Sequence, residues 1–213
     1  MITMIFAIKN RDEIRALNCM RSLKDQDCKI IVVDYGSNDI SWYDRVFTQG
    51  FVVVKNNTED FCKSRAYNIG LRLVTTKYVV FSDIDNIFKP NFIDRVKQEI
   101  IKNQVVLCQC EDLDQNGNVY RIHPKTGVGA CFGIDTTFMR EINGYDEAFT
   151  YWGKEDDDVV KRAMLSGYEI CWLEPLIQHQ WHEKAPRPTL KDNISRLKSE
   201  KPVILNQIYG QIC

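Results

Sequence analysis

The sequence contains no apolar run that approaches a bilayer span, no C-x-x-C pair, no internal repeat and no low-complexity segment. It also lacks an excess of either charge: 28 Lys+Arg stand against 29 Asp+Glu, for a formal net charge of -1. Each absence removes a class. With no long apolar run, no membrane span is expected. With balanced charge there is no polyanion-binding surface, and nucleic acid is not expected as a partner. Without paired cysteine spacing, the eight cysteines do not form a zinc ribbon. Several lie inside apolar runs, as in VVLCQC and YEICWL, and read as small buried hydrophobes. MITMIFAIKNR has no basic leader, and no lipidation signal is present. The expectation is a soluble chain with free thiols in the cytoplasm or another reducing compartment. Its abrupt end at QIYGQIC fits a domain of a larger protein.

What is present is an alternation of strand-like and helix-like runs. ITMIFAI, KIIVVDYGS, FVVVKN and KYVVFSDID read as buried strands. Between them, RDEIRALNCMRSLKDQ carries Ile14, Leu17, Met20 and Leu23 at helical spacing, and DFCKSRAYNIGLRLV is amphipathic. Near-continuous apolar strands separated by helices predict an α/β fold with a mixed, mostly parallel central sheet flanked by helices. In the second half, QVVLCQCED and NVYRIHP predict a hairpin, or small second sheet, across Asn116-Gly117. GVGACFGI and YEICWL read as strands, TTFMREING as a short helix closed by Gly144, and EDDDVVKRAMLSGY and TLKDNISRLKSE as helices. The reading is one domain over 1–213: a nucleotide-binding half (1–88), an acceptor-binding half (89–185) and a C-terminal helical tail (186–213). Ligands of such sheets bind at the carboxyl ends of the strands, where Asp34 and Asp83 lie.

Four motifs carry candidate chemistry. In FSDIDN, Asp83 and Asp85 follow a strand, and alternate strand residues point the same way. Two hard oxygen ligands suit Mn²⁺ or Mg²⁺ on a diphosphate, whereas a capped turn explains the same residues equally well. In YWGKEDDD, Trp152 and Gly153 offer a ledge for a sugar face, and a carboxylate from the following Glu155–Asp158 run can serve as general base. The same acids also suit a solvated helix N-terminus, though two would suffice. Gly153 permits the 149–154 segment to close as a lid. HQWH holds two of the three histidines, His179 and His182, which could complete a metal shell begun by Asp85. Lys9, Arg11, Lys63 and Arg65 stand at a strand end and a helix start, where a diphosphate is held, or are surface charge. Asp34 could accept from a nucleobase or cap a turn.

In their order along residues 2–182, these pieces resemble the GT-A glycosyltransferases. IIVVDYGSND resembles the signature of the family-two glycosyltransferases. FSDID, INGY and WGKEDDD are similar to the beta-1,4-galactosyltransferase group. The resemblance implies a GT-A, Rossmann-like fold and a hexosyltransferase that uses a UDP-sugar donor, a glycan or glycoprotein acceptor and Mn²⁺, with Mg²⁺ as the alternative ion. By position it implies that Ala7, Ile8, Lys9 and Arg11 line the nucleotide pocket, with Asp34 near uracil. Lys63 and Arg65 fall near the diphosphate and Asp83 near the ribose. Asp85 ligates the ion with His179, His182 being the rival. Trp152, Gly153 and Glu155 contact the sugars, and Asp156 is the general base of an inverting transfer. Two departures are Tyr35, where the first signature usually has a second acid, and Lys154, where the second group usually has glycine.

Two other classes compete. A haloacid-dehalogenase-like phosphotransferase also uses Asp-x-Asp after an apolar strand, but normally after the first strand and with Thr or Val where Ile87 stands. An inactive nucleotide-sugar or glycan-binding module is the non-enzyme alternative. The intact Asp85, Asp156 and His179 argue against it.

Overall fold

The computed structural model describes residues 1–47, 51–55, 60–101, 103–126, 128–184, 186–199, 201–203 and 208–211. Cys213, Asn56 of FVVVKN and Gly127 of GVGACFGI lie outside them. In chain order the strands and helices are β1 (Ile2–Ile8), α1 (Glu13–Leu23), β2 (Cys28–Asp34), α2 (Tyr43–Val46), β3 (Phe51–Lys55), α3 (Lys63–Leu73) and β4 (Tyr78–Ser82). They continue with β5 (Asn86–Phe88), α4 (Phe92–Glu99), β6 (Gln104–Leu113), β7 (Val119–Ile122), β8 (Cys131–Asp135), α5 (Thr136–Glu141), α6 (Glu155–Leu165), β9 (Glu169–His179) and α7 (Leu190–Lys198).

These strands form a single nine-stranded sheet in the order β3-β2-β1-β4-β8-β6-β9-β5, with β7 beside β6. The first four positions are parallel. Beyond them β8 runs antiparallel to β4 and β6, β9 runs parallel to β6, and β5 antiparallel to β9. The expected hairpin is β6–β7, an extension of the main sheet.

Alternation along β1 builds a core on each face. Ile2, Met4, Phe6 and Ile8 face one cluster with α1, α2 and α4, and Ile5 and Ala7 face the other with α3, α5 and α6. Each large side chain so buried contributes about 1.5–3 kcal/mol. Helix α1 starts at Asp12, whose carboxylate accepts from Arg15 N at 3.0 Å. Its buried stripe is Ala16, Cys19, Met20 and Leu23, while Ile14 is 67% exposed. The expected stripe is thus rotated, because Ala16 and Cys19 complete the i, i+3, i+4, i+7 pattern that larger residues alone obscure.

Helix α3 lies flush on β1 through Gly70, where a Cβ would fall 2.5 Å from Ile5 Cγ2. That close approach places the helix N-terminus, with Lys63, beside the carboxyl ends of β1 and β4. Strand β9 runs beyond the expected YEICWL and passes through Pro175 at a bulge. Leu173 pairs with Cys108 and Ile177 with Cys110, so three residues oppose one. His179 is therefore a strand residue in register with Asp112. Among the described residues no helix is long and apolar enough to cross a membrane, and the seven described cysteines are free.

Candidate active site

Two groups of charged side chains meet at the carboxyl end of the parallel strands. The first centres on Lys63, the opening residue of α3. Its Nζ lies 3.0 Å from Asp83 Oδ1, 3.2 Å from Glu155 Oε1 and 3.2 Å from Asp156 Oδ2. Burial alone would drive this ammonium toward neutrality, but the facing carboxylates outweigh it and hold its pKa well above the usual lysine value. Lys63, expected beside a diphosphate, is thus a buried counter-ion for three carboxylates.

Asp156 is also bound from the other side, since the Tyr145 hydroxyl donates to its Oδ1 at 3.0 Å. Tyr145 is held by Asn68, which accepts from Tyr145 N at 2.7 Å and donates to Tyr145 O at 2.9 Å. Burial raises the Asp156 carboxyl well above the usual range, with Lys63 opposing and Glu155 and Asp83 reinforcing. Gly129 borders the same carboxylate, with space for a Cβ 3.7 Å from its Oδ2. The acidic start of α6 is not a solvated terminus: Glu155, Asp156 and Asp158 are buried. Glu155 serves the turn itself by accepting from Gly153 N. Asp158 pairs with Arg162 at 3.0 Å and with Lys201.

The second group comprises Asp85, His179 and His182, whose ligand atoms all lie within 4.8 Å of one another. His182 Nε2 is 3.2 Å from Asp85 Oδ2, His179 Nε2 is 3.8 Å from Asp85 Oδ1, and the two Nε2 atoms are 3.2 Å apart. The structure therefore brings both histidines to Asp85, where the sequence reading set them as rivals. Burial alone would raise the Asp85 carboxyl, but His182, His179 and Arg11 outweigh it and hold it below the usual carboxylate range. Asp85 Oδ1 is buried and accepts no hydrogen bond among the described residues. A buried carboxylate that faces two imidazole nitrogens and has one oxygen without a donor fits a divalent cation such as Mn²⁺ or Mg²⁺.

Asp83 and Asp85 do not sit on one strand face. They occupy the turn between β4 and β5, closed by Asn86 N donating to Asp83 O at 3.3 Å. The turn is what lets the two carboxylates diverge, Asp83 to Lys63 and Asp85 to the histidines. Asp34 caps a turn, accepting from Ser37 N at 3.0 Å. The side chains of Ala7 and Ile8 pack into opposite core clusters. Arg11 Nε is buried with no hydrogen-bond acceptor among the described residues, and Lys9 is half-buried at the end of β1. Arg65 pairs with Glu147 at 3.6 Å.

The 149–154 segment is braced. Tyr151 exchanges backbone hydrogen bonds with Phe61 and Lys63, and Asn193 donates to Thr150 O at 3.1 Å and Gly153 O at 3.0 Å. Arg187 stacks 3.9 Å above the Trp152 ring. These contacts, those of Asn193 and Arg187 coming from the C-terminal stretch, brace the segment expected to close as a lid. Tyr145, Asn68, Asp112 and Asn193 were not singled out by sequence reasoning. All four lay in quoted segments, Tyr145 in INGY, Asn68 in DFCKSRAYNIGLRLV, Asp112 in QVVLCQCED and Asn193 in TLKDNISRLKSE, but none had been given a role.

The family model for glycosyl transferase family 2 matches residues 3–160. The chain belongs to that family. Curated relatives include beta-1,4-galactosyltransferase 5 of Danio rerio, 24% identical over 132 residues that cover 57% of this chain and 31% of the relative. Chondroitin sulfate synthase 3 of Homo sapiens is 24% identical over 120 residues, covering 46% of this chain and 14% of the relative. The chain thus spans about a third or less of the length of these relatives. Among solved structures, GalNAc-T7 with UDP, GalNAc and Mn²⁺ superposes with a TM-score of 0.74 at 13% identity, over 92% of this chain and 47% of that one. S. aureus TarS 1-349 in complex with UDP-GlcNAc gives 0.68 at 15% identity, over 86% and 59%. These likenesses carry the GT-A fold expected from the sequence. Family membership removes the haloacid-dehalogenase alternative, and Asp83 and Asp85 of this chain lie after the fourth strand.

Proposed function

We propose that this chain is a metal-dependent hexosyltransferase. It moves a sugar from a UDP-sugar to a hydroxyl of a glycan or glycoprotein acceptor, with inversion and with Asp156 as general base. The carrying observation is the environment of Asp156, a buried carboxylate of raised pKa oriented by Tyr145 and Lys63. A base of raised pKa takes a hydroxyl proton more readily than an ordinary carboxylate. Ionised Asp156 receives the acceptor proton, the acceptor oxygen bonds the anomeric carbon, and the electron pair of the breaking bond leaves with the UDP oxygen. The braced Trp152 ledge and Gly153 hold the sugars for in-line attack.

Asp85, His179 and His182 would hold Mn²⁺ or Mg²⁺. A bound divalent ion supplies Lewis-acid charge for a departing diphosphate. Arg11, with its buried unmatched Nε, and Lys9 add fixed positive charge on the same side. Asp83 is assigned to the ribose side, Asp34 to the uracil end, the backbone of Ala7 and Ile8 to the wall of the nucleotide pocket, and Arg65 to the diphosphate. UDP binding by relatives of low identity, as in TarS with UDP-GlcNAc, supports the donor class.

A thermal-shift panel of nucleotides and UDP-sugars with and without Mn²⁺, followed by transfer assays, tests the reading. A UDP-sugar should raise the melting temperature only with the ion present, and Asp85→Ala should remove that dependence. A product that retains the donor's anomeric configuration would refute the single-base scheme.

A further inference from the structure

We infer that Asp112 is a positioning residue for the metal site, fixing the tautomer of His179; the inference rests on the metal-site reading above. Asp112 lies on β6, outside every motif used so far, and is 4% exposed. Register puts it between His179 of β9 and Arg121 of β7. Its two oxygens face different ways. Oδ2 is taken by the hairpin: Arg121 Nε donates at 2.7 Å, the Arg121 terminal amine also donates, the Tyr120 hydroxyl donates at 3.4 Å, and His123 Nε2 lies 3.0 Å away. Oδ1 faces His179 Nδ1 at 3.5 Å.

The two histidines are then arranged alike. His182 presents Nδ1 to the Glu183 carbonyl at 2.7 Å and Nε2 to Asp85. His179 presents Nδ1 to Asp112 and Nε2 to Asp85. A carbonyl or carboxylate behind Nδ1 keeps the proton there, which leaves the Nε2 lone pair for the ion. Glu183 O does this for His182, and Asp112 Oδ1 does it for His179. Neutralising Asp112 reverses the arrangement. In Asp112→Asn the single side-chain oxygen is claimed by the Arg121 donors, so the amide NH₂ faces His179 Nδ1. That nitrogen must then accept, and the ring proton moves to Nε2, where it blocks the lone pair.

The test measures Mn²⁺ binding alone by calorimetry, and the His179 tautomer in metal-free protein near pH 7 by long-range ¹⁵N–¹H NMR. For the native chain the Nδ1–H form is expected. For Asp112→Asn, the Nε2–H form and Mn²⁺ affinity about 10- to 100-fold weaker are expected. The Arg121→Ala/His123→Ala double variant removes the Arg121 and His123 contacts, keeps the Tyr120 hydroxyl on Oδ2 and leaves Oδ1 to His179, and should keep the tautomer and stay within about threefold of native affinity. An unchanged tautomer in Asp112→Asn overturns the inference. So does a double variant that loses as much affinity as Asp112→Asn, since Asp112 would then merely anchor the hairpin. Should the native chain bind no Mn²⁺, the metal reading falls, and the NMR arm alone decides whether Asp112 sets the tautomer.

Discussion

Lys63 Nζ and Asp156 Oδ2 stand 3.2 Å apart in the interior, the one opening α3 and the other in the first turn of α6. Asp83 and Glu155 share the same ammonium. Removing one partner of a buried ionic cluster leaves uncompensated charge and costs about 3–5 kcal/mol. Lys63→Met should therefore lower stability by about that amount in urea melts at pH 7. Without the cation that opposes its burial, Asp156 keeps its proton in the folded state to higher pH than in the unfolded state. The folded state then binds more protons, and stability falls as pH rises above about 4. The deficit should be smallest near pH 4 and grow toward pH 7. An equal deficit at both would show that lost packing, not charge, is responsible.

Asp156→Asn should reduce transfer by about 10²- to 10⁴-fold while leaving the UDP-dependent melting shift in place. In the native chain, protonated Asp156 cannot accept the acceptor proton. The rate should therefore rise with pH, and its acid limb should lie above the ordinary carboxylate range, because burial raises this carboxyl. A pH–rate profile checks the limb. Transfer at the native rate in Asp156→Asn would move the base elsewhere.

Lys154 precedes α6 with φ +77°, in the left-handed region. A side chain there costs roughly 1–2 kcal/mol. Its ion pair with Asp157, 3.4 Å long and partly exposed, returns little. Lys154→Gly should raise stability by about 1 kcal/mol in thermal melts, and a lowered melting temperature would show that the lysine is needed at that turn.

Asp146 ties the tail to the domain, with Arg196 at 2.5 Å and Lys201 at 3.3 Å. Burial alone would raise its carboxyl, but Arg196, the Ala148 N–H and Lys201 outweigh it and hold it below the usual range. A carboxylate lowered in the folded state contributes stability above its unfolded pKa of about 3.9 and loses it as pH falls through the folded value. Asp146→Asn should be less stable than the native chain at pH 6, with the gap closing below pH 4. A gap independent of pH would assign the loss to packing.

The parallel half was legible because β1, β2 and β4 are apolar on both faces and punctuated by Asp, Gly and Ser. Asp156, Trp152, Asp85 and the two histidines were legible as motifs. What sequence could not supply was partnership across distance. Lys63 reads as an anion-binding helix start until Asp83, Glu155 and Asp156 surround it. Asp112 reads as a hairpin acid until register sets it beside His179. The expected strand YEICWL stops at Leu173, and only the pairing with β6 shows that the chain bulges and continues. Short β5 and α4 carried too little periodicity to stand out.

That bulge makes the position of His179 a matter of counting. Glu174, Pro175 and Leu176 stand opposite the single residue Gln109, an excess of two. Because side chains alternate along a strand, an even excess keeps parity, and His179 emerges on the same face as if the strand had run straight. Deleting one residue from this stretch would turn His179 away from Asp85 and Asp112, whereas deleting two would restore its face. Natural length variation in 174–176 should therefore come in pairs wherever the histidine is kept.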